Sequence, residues 1–135
     1  MVGGGVALDE VAALALELPA VSEGTSYGNR AWKVGSKTFV WERPFSKADL
    51  ARFGDEPVPH GSIVGVRMDD LDDTRAVLAA GVPGVFTIPH FDGYPAVLVQ
   101  LEATDRDSIR QLLVDGWLSC APARAREAFL AQENP

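Results

Sequence analysis

The sequence predicts an α+β fold, an antiparallel sheet of about five strands with helices packed on one face. Strand-like stretches follow one another through tight turns, which favours antiparallel pairing. Segments with helical apolar spacing lie toward both ends of the chain. A length of 135 residues suits one core. We therefore expect a single domain over residues 8–132, preceded by a flexible tail at residues 1–7.

The first predicted element is a helix over residues 9–18. Asp9 is a favourable N-cap residue, and Pro19 ends the helical pattern. One face of this helix is apolar and carries Val11, Leu14, Ala15 and Leu18. Two glycines then indicate a loop at residues 24–28.

The clearest local signal is a β-hairpin in which residues 30–34 and 37–41 flank Gly35-Ser36. A pair with glycine first suits a type II′ turn. A two-residue loop pairs Val34 with Lys37, Trp32 with Phe39, and Arg30 with Trp41. One face of the hairpin is then expected to carry Trp32, Val34, Phe39 and Trp41.

The remaining elements follow from capping residues and turn signals. A serine, several aspartates and a proline stand where helices are expected to begin. The predicted elements are a short helix at 46–53, a strand at 63–67, a helix capped by Asp69 or Asp70, strands at 85–88 and 95–101, a helix capped by Asp105, and a last helix at about 122–132.

The net charge of −7 is unevenly distributed along the chain. Residues 29–53 carry +4, whereas residues 1–28 carry −4, residues 54–107 carry −7 and residues 108–135 are neutral. An acidic protein repels phosphates, so DNA is disfavoured as a partner by net charge. No apolar run approaches the ~20 residues that span a bilayer, so no membrane partner is expected.

The cysteine content and the N-terminus bear on the compartment. Cys120 is the only cysteine, so no internal disulfide can form. The first five residues carry no lysine or arginine, which does not match a signal peptide. We expect a cytoplasmic protein.

Several strings resemble the MmcQ/YjbR-like family. These are residues 18–21 with Glu23 and Gly24, the string WKVGSKTF at residues 32–39, His90 before the last strand, and the apolar positions around residues 109–113. The resemblance covers about residues 8–130. It implies a frataxin-like (CyaY-like) sandwich of helices on an antiparallel sheet. Members of this family are often labelled DNA-binding, so the resemblance also implies DNA binding. It supplies no agreed catalytic residues.

Residues 29–53 form a basic segment that interleaves cations with aromatic rings, the mixture that single-stranded nucleic acid requires. The favoured interpretation is that the rings face the core and the cations frame it, because period-2 alternation places the rings on one face. As candidate nucleic-acid or ligand-binding residues we retain Arg30, Lys33, Lys37, Trp41, Arg43 and His90.

The acidic run at residues 69–73 is the candidate for metal binding. Clustered carboxylates suit hard cations, and the frataxin-like resemblance implies an acidic iron-binding ridge. The run also stands where a helix begins, and acidic residues are favoured there by the helix dipole. It lacks the glycine and terminal glutamate of a calcium loop. We therefore predict a capped helix start and no metal site.

No catalytic set is recognised. His60 and His90 are far apart in sequence, one cysteine gives no zinc spacing, and no Gly-x-Ser-x-Gly motif is present. His90 lies near a strand end, where a ligand contact is one interpretation, but a structural or exposed histidine is the favoured one. We predict no catalytic residue and no cofactor.

The favoured function is a non-enzymatic binding or adaptor module for an unknown protein or small-molecule partner. The alternative is a DNA-binding protein that uses the basic hairpin at residues 29–53. A third hypothesis is frataxin-like metal handling.

Overall fold

A computed structural model describes residues 5–133 and confirms the α+β class. All strand pairs are antiparallel, in the order β1-β2-β3-β4-β6-β5. The strands are β1 (Val21–Ser26), β2 (Asn29–Val34), β3 (Lys37–Glu42), β4 (Ile63–Arg67), β5 (Val85–Phe86) and β6 (Ala96–Gln100). The α-helices of the described residues are α1 (Leu8–Leu16), α2 (Lys47–Phe53), α3 (Leu71–Ala79), α4 (Arg106–Cys120) and α5 (Ala123–Glu133).

The sheet has six strands instead of the five expected, because β1 occupies part of the predicted loop. It joins β2 through Tyr27 and Gly28, whose φ values of 51° and 81° are those of a type I′ turn. This strand is an edge strand, and much of it is exposed. Its sequence therefore lacks the apolar alternation that reveals a half-buried strand.

The helix caps agree with the sequence except at the first helix. Ser46, Asp70 and Asp105 each accept a hydrogen bond from a backbone amide three residues later. The first helix begins at Leu8, with Ala7 at the N-cap position, so Asp9 lies inside the helix. The Glu10 carboxylate accepts a hydrogen bond from the Ala7 amide at 3.2 Å, which is the half of a capping box that the N3 residue contributes.

A register shift in the β2–β3 hairpin corrects the predicted faces. Val34 pairs with Lys37 as expected, but Trp32 pairs with Val40 and Ala31 pairs with Trp41. Phe39 is the extra residue of a β-bulge, which moves every later side chain of β3 to the other face. The hairpin face with Trp32, Val34 and Phe39 therefore does not carry Trp41.

The two faces of the sheet are covered differently. The face with Trp32, which we call the helix face, packs against α1, α3, α4 and the apolar side of α5. The opposite face, which we call the pocket face, carries a smaller aromatic cluster that includes Trp41. A short 3-10 turn (Pro89–Phe91) contributes Phe91 to this cluster, and α2 contributes Phe53. The sequence predicted helices on one face only, whereas Phe53 of α2 packs against the cluster on the pocket face, where its ring also contacts Phe45.

The structure describes only part of the predicted N-terminal tail. Residues 1–4 of the predicted tail lie outside the described residues. Val6 is buried, and its amide donates to the Leu101 carbonyl at 2.9 Å, so the chain packs against the domain from this point.

None of the helices within residues 5–133 combines the length and the apolar character that a membrane crossing requires.

Candidate functional site: an aromatic pocket

An open pocket of about 660 Å³ lies on the pocket face, between the β1–β3 part of the sheet and the segment after β5. Its aromatic residues are Tyr27, Trp41, His90, Phe91 and Tyr94. Its polar and charged residues are Ser26, Asn29, Thr38, Glu42, Arg43 and Ser46. Rings with a few polar groups are the usual composition of a site for a small organic ligand.

The Trp41 indole forms part of the pocket lining and lies over a glycine of the neighbouring strand. Trp41 pairs with Gly65 of β4, and a Cβ atom added to Gly65 would come within 2.5 Å of Trp41 Cζ2. Only the missing side chain allows the indole to lie this close to the sheet. Trp41 remains partly exposed and stacks against Phe91, with ring centroids 6.4 Å apart.

The segment after β5 forms the aromatic wall of the pocket. The 3-10 turn directs Phe91 inward, where it is buried, and leaves His90 exposed. Tyr94 meets Phe91 edge to face, with centroids 5.7 Å apart, and remains 41% exposed. Its amide donates to the Phe91 carbonyl at 2.9 Å, which holds the wall in a tight turn.

An ion pair with a buried aspartate fixes Arg43. Its Nη1 donates to Asp49 Oδ2 at 2.9 Å and to the Pro44 carbonyl at 2.6 Å, while the guanidinium lies over the Phe91 ring. Burial alone would raise the pKa of Asp49. The amide and hydroxyl of Ser46 together with Arg43 outweigh burial, so this pKa is lowered. The pocket therefore presents Arg43 with its charge already neutralised by Asp49.

Tyr27 stands at the rim of the pocket with an unusual combination of properties. The side chain is fully exposed, and its backbone has a φ of 51°, a region that a bulky residue seldom adopts. Asparagine, aspartate and glycine are the usual residues at this turn position. A fully exposed ring beside an aromatic pocket is therefore a candidate ligand contact.

The structure brings together three of the six candidate residues, since Trp41, Arg43 and His90 all line the pocket. Lys37 is exposed beside the β2–β3 turn, and the register places Lys33 on the pocket face, outside the lining. Sequence reasoning missed Tyr27, Phe91, Tyr94 and Gly65. The dipeptides Tyr27-Gly28 and Asp92-Gly93 indicate turns at or next to Tyr27 and Tyr94. Nothing in the sequence indicates that these two turns lie beside one another in the fold.

Arg30 lies on the helix face, where two carboxylates pair with its guanidinium. It pairs with Asp9 at 2.8 Å and with Glu23 at 2.9 Å, and its guanidinium lies 5.3 Å from the centroid of Trp32. The hydrogen bond from Arg30 lowers the pKa of Glu23, and that carboxylate also accepts from the Trp32 indole. Arg30 therefore stabilises the edge of the core and does not contribute to the pocket.

The acidic run brings three exposed carboxylates together at the start of α3. Oxygens of Asp69, Asp70 and Asp73 lie within 4.8 Å of one another. Asp70 is the N-cap residue and accepts from the Asp73 amide at 2.8 Å. The negative charge of Asp70 raises the pKa of Asp73, with smaller effects of desolvation, Asp69 and Asp72. These contacts are those of a capped helix start.

Comparison with known proteins gives relatives of the whole domain. The chain is 45% identical over 130 residues to the uncharacterized protein Rv2570 of Mycobacterium tuberculosis, with 93% of this chain and 97% of that protein covered. The uncharacterized protein Mb2600 of Mycobacterium bovis matches with the same identity and coverage. No family model matches the chain. No solved structure matches it. At this identity and coverage, the chain belongs to the family of these mycobacterial proteins.

Proposed function

We propose that the protein is a non-enzymatic binding module that takes a small planar organic ligand in the aromatic pocket. The observation that carries the proposal is the pocket itself, in which the accessible rings of Trp41, Tyr94 and His90 each contact the buried Phe91 ring. Its volume of about 660 Å³ lies within the range of small-molecule sites. Aromatic rings with accessible faces bind flat ligands by offset or edge-to-face stacking.

The polar groups of the pocket favour binding over catalysis. A general base requires a partner that orients it and tunes its pKa. Among residues 5–133, the His90 side chain makes no hydrogen bond or ion pair, and its ring contact is with Phe91. Asn29 and Ser46 offer hydrogen bonds that can orient a ligand. This set supports recognition and supplies no nucleophile paired with a base.

Ligand-observed NMR with a library of planar heteroaromatic compounds tests the proposal. We expect some compounds to bind the wild-type chain and to lose binding in Trp41→Ala, because this change removes the stacking surface. Gly65→Ala should weaken binding of the same compounds, because its Cβ would displace the Trp41 ring. Leu16→Ala, an exposed apolar residue of α1, is the matched control and should bind normally. A library without binders, or binding that persists in Trp41→Ala, would refute the proposed function.

The nucleic-acid alternative remains a second proposal. The exposed Tyr27 ring and Trp41 lie at the pocket together, as base-stacking residues would. Against it, carboxylates pair with Arg30 and Arg43. Frataxin-like metal handling, membership of the MmcQ/YjbR-like family and a cytoplasmic location stay predictions from the sequence.

A further inference from the structure

We propose that the ligand of the aromatic pocket carries an anionic group, a carboxylate or a phosphate, and that Arg67 binds this group. The inference rests on the proposed function and narrows its ligand class. It starts from the contrast between the two arginines that lie over the aromatic wall. Arg43 lies over Phe91 and has a carboxylate partner, whereas Arg67 lies over Tyr94.

The sheet register places Arg67 beside the pocket. Val66 belongs to the core of the helix face, so alternation directs Arg67, the next residue of β4, to the pocket face. Its guanidinium carbon lies 5.3 Å from the centroid of Tyr94, which lines the pocket. Arg67 is not a lining residue itself, but it contacts the ring of Tyr94, which is one.

In the part of the chain that the structure describes, the Arg67 side chain lacks a polar partner. Within residues 5–133, it makes no hydrogen bond or ion pair, and its Nε is buried without an acceptor. A buried N–H group without an acceptor is destabilising, and such groups are scarce in folded proteins. A carboxylate or phosphate would accept from the guanidinium in the bidentate geometry that arginine favours. The unmet donor thus indicates the chemistry of the missing partner.

A second cation lies at the same end of the pocket. Lys33 pairs with Thr38, a lining residue, and alternation from the buried Trp32 places Lys33 on the pocket face. Glu42 lies at the opposite end of β3, where its carboxylate accepts from the Arg30 amide. Among the described residues, Lys33 and Arg67 therefore lie toward the Thr38 end of β3 without an ionic partner, whereas Arg43 at the other end is paired with Asp49.

Two sources of anionic planar ligand share this chemistry, namely aromatic carboxylates and nucleoside monophosphates. Matched pairs separate charge from ring shape. Indole-3-carboxylate is compared with indole-3-carboxamide, and adenosine monophosphate is compared with adenosine. NMR titrations at low ionic strength give the affinity of each compound for the wild-type chain, Arg67→Gln, Arg67→Lys and the control Arg75→Gln. Arg75 is exposed on α3, where it pairs with Asp72.

We expect the charged member of at least one pair to bind about tenfold or more tightly than its neutral analogue, as a charge-assisted hydrogen bond provides. Arg67→Gln should abolish that preference and leave the neutral compound within about twofold of its wild-type affinity. Arg67→Lys should retain part of the preference for the charged compound, and Arg75→Gln should retain all of it. The pair that shows the preference identifies the carboxylate or the phosphate as the anionic group.

Two results would overturn the inference in distinguishable ways. Equal binding of charged and neutral compounds, or a preference that survives in Arg67→Gln, would refute the role of Arg67 and leave the proposed function standing. If none of the four compounds binds, and the library of planar heteroaromatic compounds also yields no binder, the inference and the proposed function are both refuted.

Discussion

The guanidinium of Arg43 and the carboxylate of Asp49 meet at 2.9 Å between the end of β3 and the first turn of α2. The aspartate side chain is 1% exposed, and the arginine side chain is 19% exposed. Asp49 also accepts from the Ser46 amide at 2.9 Å, so one carboxylate joins a helix cap to an ion pair. This contact orients α2 and fixes the arginine over Phe91.

Replacement of Asp49 by asparagine should destabilise the domain in a pH-dependent way. The pKa of Asp49 is lowered in the folded protein relative to about 3.9 for an unfolded chain. The ionised carboxylate therefore contributes its full stability above about pH 4, and this contribution is lost as the pH falls through the folded pKa. Urea unfolding should show a deficit of about 1–3 kcal/mol for Asp49→Asn at neutral pH, which shrinks in acid.

Asp72→Asn provides the control for this experiment, because Asp72 is exposed and pairs only with the exposed Arg75 in the described structure. It should change the free energy of unfolding by less than about 0.5 kcal/mol. A deficit for Asp49→Asn that stays constant from neutral pH to pH values well below about 4 would show that packing, and not the charge of Asp49, causes it.

Trp32→Ala should cost more stability than Trp41→Ala, although both residues belong to one hairpin. Trp32 is fully buried on the helix face, so its truncation should remove roughly 3–5 kcal/mol from the free energy of unfolding. Trp41 is partly exposed in the pocket, and its truncation should cost about 1–2 kcal/mol. Chemical denaturation measures both. A loss below about 1 kcal/mol for Trp32→Ala would contradict the described core.

Local patterns predicted most of the fold. The strand at Ile63–Arg67 and the caps at Ser46 and Asp105 are those that the sequence indicates, because short-range propensities and side-chain acceptors determine them. The edge strand β1 was missed since no apolar alternation marks an exposed strand. The bulge at Phe39 was missed because both registers bury apolar side chains, and the choice depends on how β3 also pairs with β4.

The candidate site was predictable only in part, and the bulge explains why. Without the register shift, Trp41 would share the helix face with Trp32 and enter the core. With it, Trp41 lies on the pocket face beside Phe91, a residue fifty positions later in the chain. The contact of Arg67 with Tyr94 likewise joins β4 to the turn before β6. Such long-range contacts depend on topology, which local sequence patterns do not encode.

The acidic start of α3 should show no specific response to divalent ions. Asp70 is engaged as a helix cap, and its neighbours Asp69 and Asp73 are exposed to water. We expect millimolar calcium, manganese or ferrous iron to leave the melting temperature unchanged in the wild-type chain and in the Asp72→Asn, Asp73→Asn double variant. Stabilisation of the wild-type chain that disappears in the double variant would support the metal-handling hypothesis.

Nucleic acid should bind weakly, because the cations of residues 29–53 are largely neutralised or dispersed. Carboxylates pair with Arg30 and Arg43, and Arg52 lies 3.8 Å from Asp49. Lys37 is exposed beside the turn, Lys33 lies on the pocket face, and Lys47 is exposed at the start of α2, so these three cations can neutralise only about three phosphates. Few phosphate contacts on a chain with a net charge of −7 give weak, salt-sensitive binding.

Fluorescence anisotropy with labelled random DNA, both single- and double-stranded, checks this expectation. We predict no binding tighter than ~10 μM at about 0.15 M salt, a limit far weaker than specific protein–DNA affinities. The triple variant with Arg30, Lys37 and Arg43 changed to glutamate tests the basic segment directly. Micromolar or tighter binding by the wild-type chain that this variant loses would show that the local cations outweigh the global charge. The DNA-binding alternative would then replace the small-ligand proposal, and Arg30 and Arg43 would have to leave their carboxylate partners to contact phosphate.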